Sequence, residues 1–180
     1  QAVDWELADA IGPQTAAVIH VYGQRTMNLP LSLTETVGIA HAHNVPVIVD
    51  AAAEVPPAGN LRGLKDTGAD VVVISGGKGL RGPQNSALVL CSRAMVETCV
   101  PHAAPLHSHG RSMKTTKEDM IGLVKAVEIY QDLDHDIITQ QWEAEAASVV
   151  AAVAAIDGID GAPGYARYSD GIPVAQLLIE

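Results

Sequence analysis

The chain has 180 residues and a mass of 18.8 kDa, room for one domain or for one domain and part of another. Hydrophobic residues at 48% and charged residues at 18% exclude a disordered polymer; with aromatics at 3% and no Phe, the core must rest on Val, Ile, Leu and Ala. A net charge of −10 excludes nucleic acid as the main partner, because phosphate binding needs a basic face.

No run reaches the ~18 to 20 apolar residues of a membrane span, so no membrane partner is expected. Cys91 and Cys99 make no disulfide framework, and reduced thiols in a cytoplasmic setting are the expectation.

Residues 4–11 read as a short helix ended by Gly12-Pro13. Residues 15–22 form a nearly continuous apolar run, the pattern of a buried parallel strand. Ser32 and Glu35 make a capping box for a helix to about His43. Residues 46–49 predict a second strand that delivers Asp50 at its C-terminal end. Residues 61–67 predict a short helix closed by Gly68, and residues 70–74 a third buried strand that delivers Ser75-Gly76-Gly77-Lys78. Residues 86–91 predict a fourth strand, joined to the third by so short a turn that the two are antiparallel neighbours or a tight crossover. Two helices follow, over residues 117–130 and 134–156, then a strand-like run over residues 174–179. The alternation of helix and strand predicts an α/β layer fold. The Gln1 start and the terminal strand are read as a piece of a longer protein, with a domain boundary near residues 132–136.

Asp50 and Lys78 stand at the C-terminal ends of successive predicted strands, the edge where open α/β sheets bind ligands. Flanking glycines leave Lys78 uncrowded, and partial burial would favour the neutral amine that attacks a carbonyl. An Asp on the neighbouring strand can keep a pyridine nitrogen protonated. At an effective dielectric of 20, a charge pair ~4 Å apart is worth about 4 kcal/mol, or about three pKa units. Taken singly, Asp50 is an ordinary strand-end carboxylate and Lys78 a surface lysine; the pairing is what points to a cofactor.

The segment Ser75-Gly76-Gly77-Lys78-Gly79-Leu80-Arg81-Gly82-Pro83-Gln84 resembles the Schiff-base segment of the selenocysteine synthase (L-seryl-tRNA selenium transferase)-like family. That family is a branch of the fold type I pyridoxal-phosphate (PLP) enzymes, with an aminotransferase class V-like fold, and includes D-glucosaminate-6-phosphate ammonia lyases. Asp50-Ala51-Ala52-Ala53 resembles its ring-contacting strand end, and His109-Gly110-Arg111-Ser112-Met113-Lys114 its Gly-Arg-Pro-Met-Lys segment. The resemblance spans roughly residues 15–130. It implies that Lys78 carries PLP as a Schiff base and later moves the substrate's α-proton. It further implies that Asp50 pairs with the ring nitrogen, Ala52 packs on the ring, Ser75 contacts the phosphate and Arg111 binds substrate. Gly77 replaces an acidic residue of the tRNA-dependent enzymes, which favours the small-molecule branch, and Ser112 replaces the usual Pro. The family's phosphate loop and ring-stacking residue would precede residue 1.

Rival readings are weaker. Gly77-Lys78-Gly79-Leu80-Arg81-Gly82 matches the dinucleotide fingerprint, but that motif opens a helix and here Pro83 follows at once. A Walker A loop needs Ser or Thr where Gly79 stands. His102, His107 and His109 share a loop without acidic or Cys ligands, so no metal is expected. Arg81 or Arg111 could each clamp a carboxylate or phosphate.

The expectation is therefore an α/β chain in two parts. Residues 1–133 are the later portion of a PLP-binding large domain, a mainly parallel sheet flanked by helices. Residues 134–180 begin a small C-terminal α+β domain. The expected function is a PLP-dependent lyase removing ammonia by α,β-elimination from a small amino-acid-like substrate such as an amino sugar acid, in a homodimer or larger assembly. An aminotransferase or selenium transferase is the nearer alternative, and a non-catalytic nucleotide-binding α/β domain the more distant one.

Overall fold

The computed structural model describes residues 3–23, 30–166 and 171–179. Residues 24–29, inside the stretch that carries the family resemblance, lie outside it. In chain order the elements are α1 (Asp4–Ala10), β1 (Val18–Val21), α2 (Leu33–Ala42), β2 (Val47–Asp50), α3 (Asn60–Asp66), β3 (Val71–Ser75) and β4 (Ala87–Cys91). They continue with α4 (Arg93–Cys99), α5 (Lys117–Asp132), α6 (His135–Val153), β5 (Ile159–Tyr165) and β6 (Pro173–Ile179). β1 to β4 form one sheet in that order, β1, β2 and β3 parallel and β4 antiparallel to β3, so the short third connection is a return and not a crossover. β5 and β6 form a separate antiparallel pair that packs with α6.

Local chemistry sets the boundaries. The α2 capping box forms as expected, with Glu35 N–H donating to Ser32 Oγ at 3.2 Å and Ser32 N–H to Glu35 Oε2 at 2.8 Å. Thr116 Oγ1 and Asp134 Oδ1 cap α5 and α6 by accepting from Asp119 N–H and Ile137 N–H. β1 is shorter than its apolar run, because the Thr15 hydroxyl and N–H are held in a turn by Gly12. Two elements went unforeseen. α4 is announced by the Ser92 cap, whereas β5 hides behind Gly161, Pro163 and Gly164, residues that depress strand propensity.

The core is one-sided. Val47, Val49, Val72 and Ile74 point to one face and are buried against Leu33, Val37 and Ala40 of α2 and Leu61 and Leu64 of α3. The opposite face carries Ile48, Val71 and Val73, half-buried, and Ile19, Val21 and Val89, exposed. The expectation of strands buried on both faces therefore holds for one face only, since the described helices that pack on the sheet lie over the Val47–Ile74 side.

Asp70 ties these layers together at the N-terminal edge of β3. Its Oδ2 accepts from Val47 N–H at 2.7 Å and from His41 Nε2 at 2.9 Å, joining β2, β3 and the end of α2. Burial alone would raise the carboxyl pKa, but the hydrogen bonds from His41 and Val47, with the charges of His41 and Lys65, bring it below its ordinary 3.8. A depressed carboxyl stabilises the fold above its unfolded value, and that contribution is lost as pH falls through the folded one. Asp70→Ala is expected to lower unfolding stability by about 1–3 kcal/mol, since Val47 N–H loses its acceptor. In urea titrations the deficit should narrow as pH falls below 3.8; a deficit that stays constant into acid would show that the carboxylate charge plays no part.

Candidate active site

Asp50 closes β2 at the C-terminal edge of the sheet. Tyr22 N–H donates to Asp50 O at 2.9 Å from one side and Ala51 N–H to Val73 O at 3.0 Å on the other, which holds the strand end between its parallel neighbours. The carboxylate is exposed, and its Oδ1 accepts from Ala52 N–H at 3.1 Å, a turn that fixes its direction. Ala52 O in turn accepts from Ser75 N–H at 3.3 Å, so the two strand ends that carry Asp50 and Ser75 are in contact.

Lys78 rides on the turn that follows β3. Gly76 N–H donates to Ser86 O at 2.9 Å, Gly82 N–H to Gly76 O at 2.7 Å and Arg81 N–H to Lys78 O at 2.9 Å. Gln84 Nε2 closes the turn on Gly77 O at 3.0 Å. A Cβ on Gly79 would lie 1.4 Å from Val55 O, and one on Gly76 would lie 2.1 Å from Ser86 Oγ. The glycines are there so that backbone can press on backbone, a stronger reason than the uncrowded reach read from the sequence. Within the turn Leu80 is buried and Lys78 exposed, so the expected partial burial of Lys78 is not met. The amine makes no ion pair or hydrogen bond with any described residue, Asp50 included.

Beside Lys78 opens a cavity of about 400 Å³. Val55, Pro56 and the turn form one wall; the corner between α5 and α6 forms the other, with Tyr130, His135 and Trp142. His135 Nε2 bonds to Tyr130 O at 2.8 Å, and the two rings lie 4.5 Å apart, which locks this corner. The Tyr130 hydroxyl is buried without a hydrogen-bond partner among the described residues, and burial pushes its pKa up to about 12, so it stays neutral. The Arg81 guanidinium stands 6.0 Å from the Trp142 ring centroid.

The predicted site residues thus divide. Asp50, Ala52, Ser75 and Lys78 share one sheet edge, but of these only Lys78 lines the cavity. Arg111 lies in a separate open depression with His107, Ser108 and His109, where its Nη1 donates to Pro105 O. His102 bonds to Ser108 Oγ at 2.8 Å, and no metal-holding cluster exists among the described residues. The dinucleotide fingerprint is overturned, because a turn and then β4 follow where it requires a helix. Tyr130, His135 and Trp142 were missed. In a chain without Phe, a Tyr at the end of an amphipathic helix and one of two Trp were the available signals.

Gly79→Ala is expected to destabilise the protein by about 3 kcal/mol or more, since the turn or Val55 must move. Gly63→Ala, on α3 with nothing within 4 Å, should instead be neutral or stabilising by up to about 1 kcal/mol. Thermal or urea unfolding of the two variants checks this; equal stabilities would contradict the close approach.

No family model matches the chain. It is 35% identical over 151 residues to D-glucosaminate-6-phosphate ammonia lyase of Salmonella typhimurium, covering 83% of this chain and 39% of that protein. It is 37% identical over 129 residues to a 5'-C-glycyluridine monooxygenase-decarboxylase of a Streptomyces species, covering 69% of this chain and 30% of that protein. A solved structure of D-glucosaminate-6-phosphate ammonia-lyase superposes with a TM-score of 0.74 at 30% identity, over 99% of this chain and 46% of that one. A cysteine desulfurase from Escherichia coli, 19% identical over 88% of this chain and 43% of its own, shares the fold at a TM-score of 0.54. The chain spans less than half the length of each of these proteins. By sequence over most of its own length and by superposition over 99% of it, the chain is similar to the D-glucosaminate-6-phosphate ammonia lyases and has a fold type I PLP-enzyme architecture.

Proposed function

We propose that the protein containing this chain is a PLP-dependent lyase that removes ammonia by α,β-elimination from a small amino-acid-like substrate, for example an amino sugar acid. The observation that carries the reading is the pairing of Asp50 and Lys78 at one strand edge, in a chain 35% identical to an ammonia lyase. The residues fit the group: among the described residues the Lys78 amine has no competing partner, and Asp50 has an exposed carboxylate with only Oδ1 engaged. Ala52 beside it offers a small apolar surface to a ring, and Ser75 a hydroxyl to a phosphate.

PLP, when bound, supplies a ring that holds the charge left as the substrate loses its α-proton. Lys78 Nζ is the group that would hold the cofactor and, when not so engaged, would take the proton from the substrate's α-carbon. Asp50 would supply the fixed negative charge that keeps a proton on the ring nitrogen. The split of residues 1–133 and 134–180 into a large domain and the start of a small one fits a cavity walled by the Lys78 turn on one side and the α5–α6 corner on the other. Arg111 lies on its separate depression, so its part in substrate binding, like the homodimer or larger assembly, rests on the family resemblance alone. Among the described residues no helix is long and apolar enough to cross a membrane, and the free thiols of Cys91 and Cys99 fit a reducing compartment such as the cytoplasm.

The Streptomyces relative is named a monooxygenase-decarboxylase, which favours keeping a reaction type other than elimination as the second reading. Borohydride reduction of the full-length protein should fix PLP on the peptide bearing Lys78, and a label on any other lysine would sink the assignment. Asp50→Ala should retain the visible absorption of bound PLP yet lose most turnover, roughly 100-fold or more for about three pKa units at the ring nitrogen. Near-normal turnover would leave Asp50 a structural residue.

A further inference from the structure

Among the described residues, the cavity beside Lys78 is lined by two cations, Lys78 and Arg81, and by no carboxylate. Under the function proposed above, Lys78 is engaged by the cofactor; Arg81 is not. We propose that Arg81, oriented by Trp142, is the residue that holds the anionic group of the substrate, a carboxylate or a phosphate, in this cavity. The inference rests on the PLP reading and adds to it the residue that selects the substrate.

Three features of this chain support it. The first is the backbone. Arg81 has φ of 56°, a left-handed conformation unfavourable to a residue with a Cβ, and it is held there by the bonds from Arg81 N–H to Lys78 O and from Gly82 N–H to Gly76 O. In that conformation Arg81 lines the same cavity as Lys78. The second is Trp142 of α6, whose ring at 6.0 Å gives the planar guanidinium a face to stack on while its N–H edges stay free. The third is the lack of a counter-charge among the described residues. Among the described residues the guanidinium makes no ion pair or hydrogen bond, and the neutral Tyr130 phenol does not compensate it. Apolar walls from Val55, Leu133 and Ile138 lower the local dielectric, which strengthens attraction to an anion that enters. Arg111, the arginine favoured from the sequence, has its guanidinium on Pro105 O and lies outside this cavity.

The anion could instead be the cofactor's own phosphate, so the test separates the sources. In the full-length, PLP-loaded protein, calorimetric titration with inorganic phosphate and with acetate should show that one of them binds. Arg81→Gln should weaken that binding roughly 10- to 100-fold, the range of one to two charge-assisted hydrogen bonds. Arg81→Lys should recover part of it, and Trp142→Ala should weaken it less than Arg81→Gln while Trp142→Phe does not. PLP content and borohydride labelling of Lys78 should stay unchanged in Arg81→Gln, and KM for D-glucosaminate 6-phosphate should rise more than kcat falls. Phosphate sensitivity identifies a phosphate-bearing substrate and acetate sensitivity a carboxylate. Equal anion binding in wild type and Arg81→Gln, or no binding of either anion to wild type, overturns the proposal. So does loss of PLP in Arg81→Gln with normal KM in the loaded fraction, which assigns Arg81 to the cofactor. Absence of label on Lys78 in the wild type overturns the PLP reading itself and is read separately.

Discussion

The contact between the Lys78 turn and the Val55 backbone governs the rest of the site. Gly79 sits where any Cβ would overlap Val55 O, so the turn is pinned to the segment that leaves Asp50. The same turn is held from behind by α5: Leu123 would touch a Cβ on Gly76 at 2.9 Å, and Ala126 would touch one on Gly82 at 3.1 Å. Pinned on both sides, the turn has one way to alternate its side chains, with Leu80 inward and Lys78 outward. Side-chain packing can relax by rotamer changes; a backbone-to-backbone seat cannot, and it can therefore hold a reactive lysine to a fixed place.

Sheet topology decides what kind of site this edge becomes. Because β4 returns antiparallel to β3, the chain leaves β3 by a tight turn and not by a crossover helix. A helix N-terminus at that place would favour a nucleotide's phosphates. A glycine turn offers an amine instead. Parallel pairing of β2 with β3 then brings the Asp50 carboxylate to the same edge. The resulting pair, an unengaged amine and a half-engaged carboxylate, suits a ligand with a carbonyl at one end and a basic ring nitrogen at the other.

Most of this was legible where short-range chemistry decides. Ser32 with Glu35 marked a helix start, the Val-Ile runs marked β2 and β3, and the decapeptide around Lys78 marked both the turn and the family. What was not legible depends on contacts distant in sequence. Nothing near Trp142 says that it meets Arg81, because α6 reaches the turn only after the chain has reversed at Leu133. Arg111 was favoured over Arg81 on motif resemblance, yet its position depends on the loop of residues 103–110, whose fold is set by local carbonyls. The continuous apolar runs of β1 to β3 called for two covered faces, while helices among the described residues cover one. Pro and Gly in β5 concealed a strand that exists because β6 pairs with it along its whole length.

The central claim is that Asp50 and Lys78 touch one PLP molecule from opposite ends. A crystal structure of the full-length protein grown with PLP tests it most directly. The account predicts continuous density from Lys78 Nζ to the cofactor and an Asp50 carboxylate oxygen at roughly 2.7–3.0 Å from the ring nitrogen. PLP bound with its ring nitrogen facing any other group, or attached to a lysine other than Lys78, would contradict it.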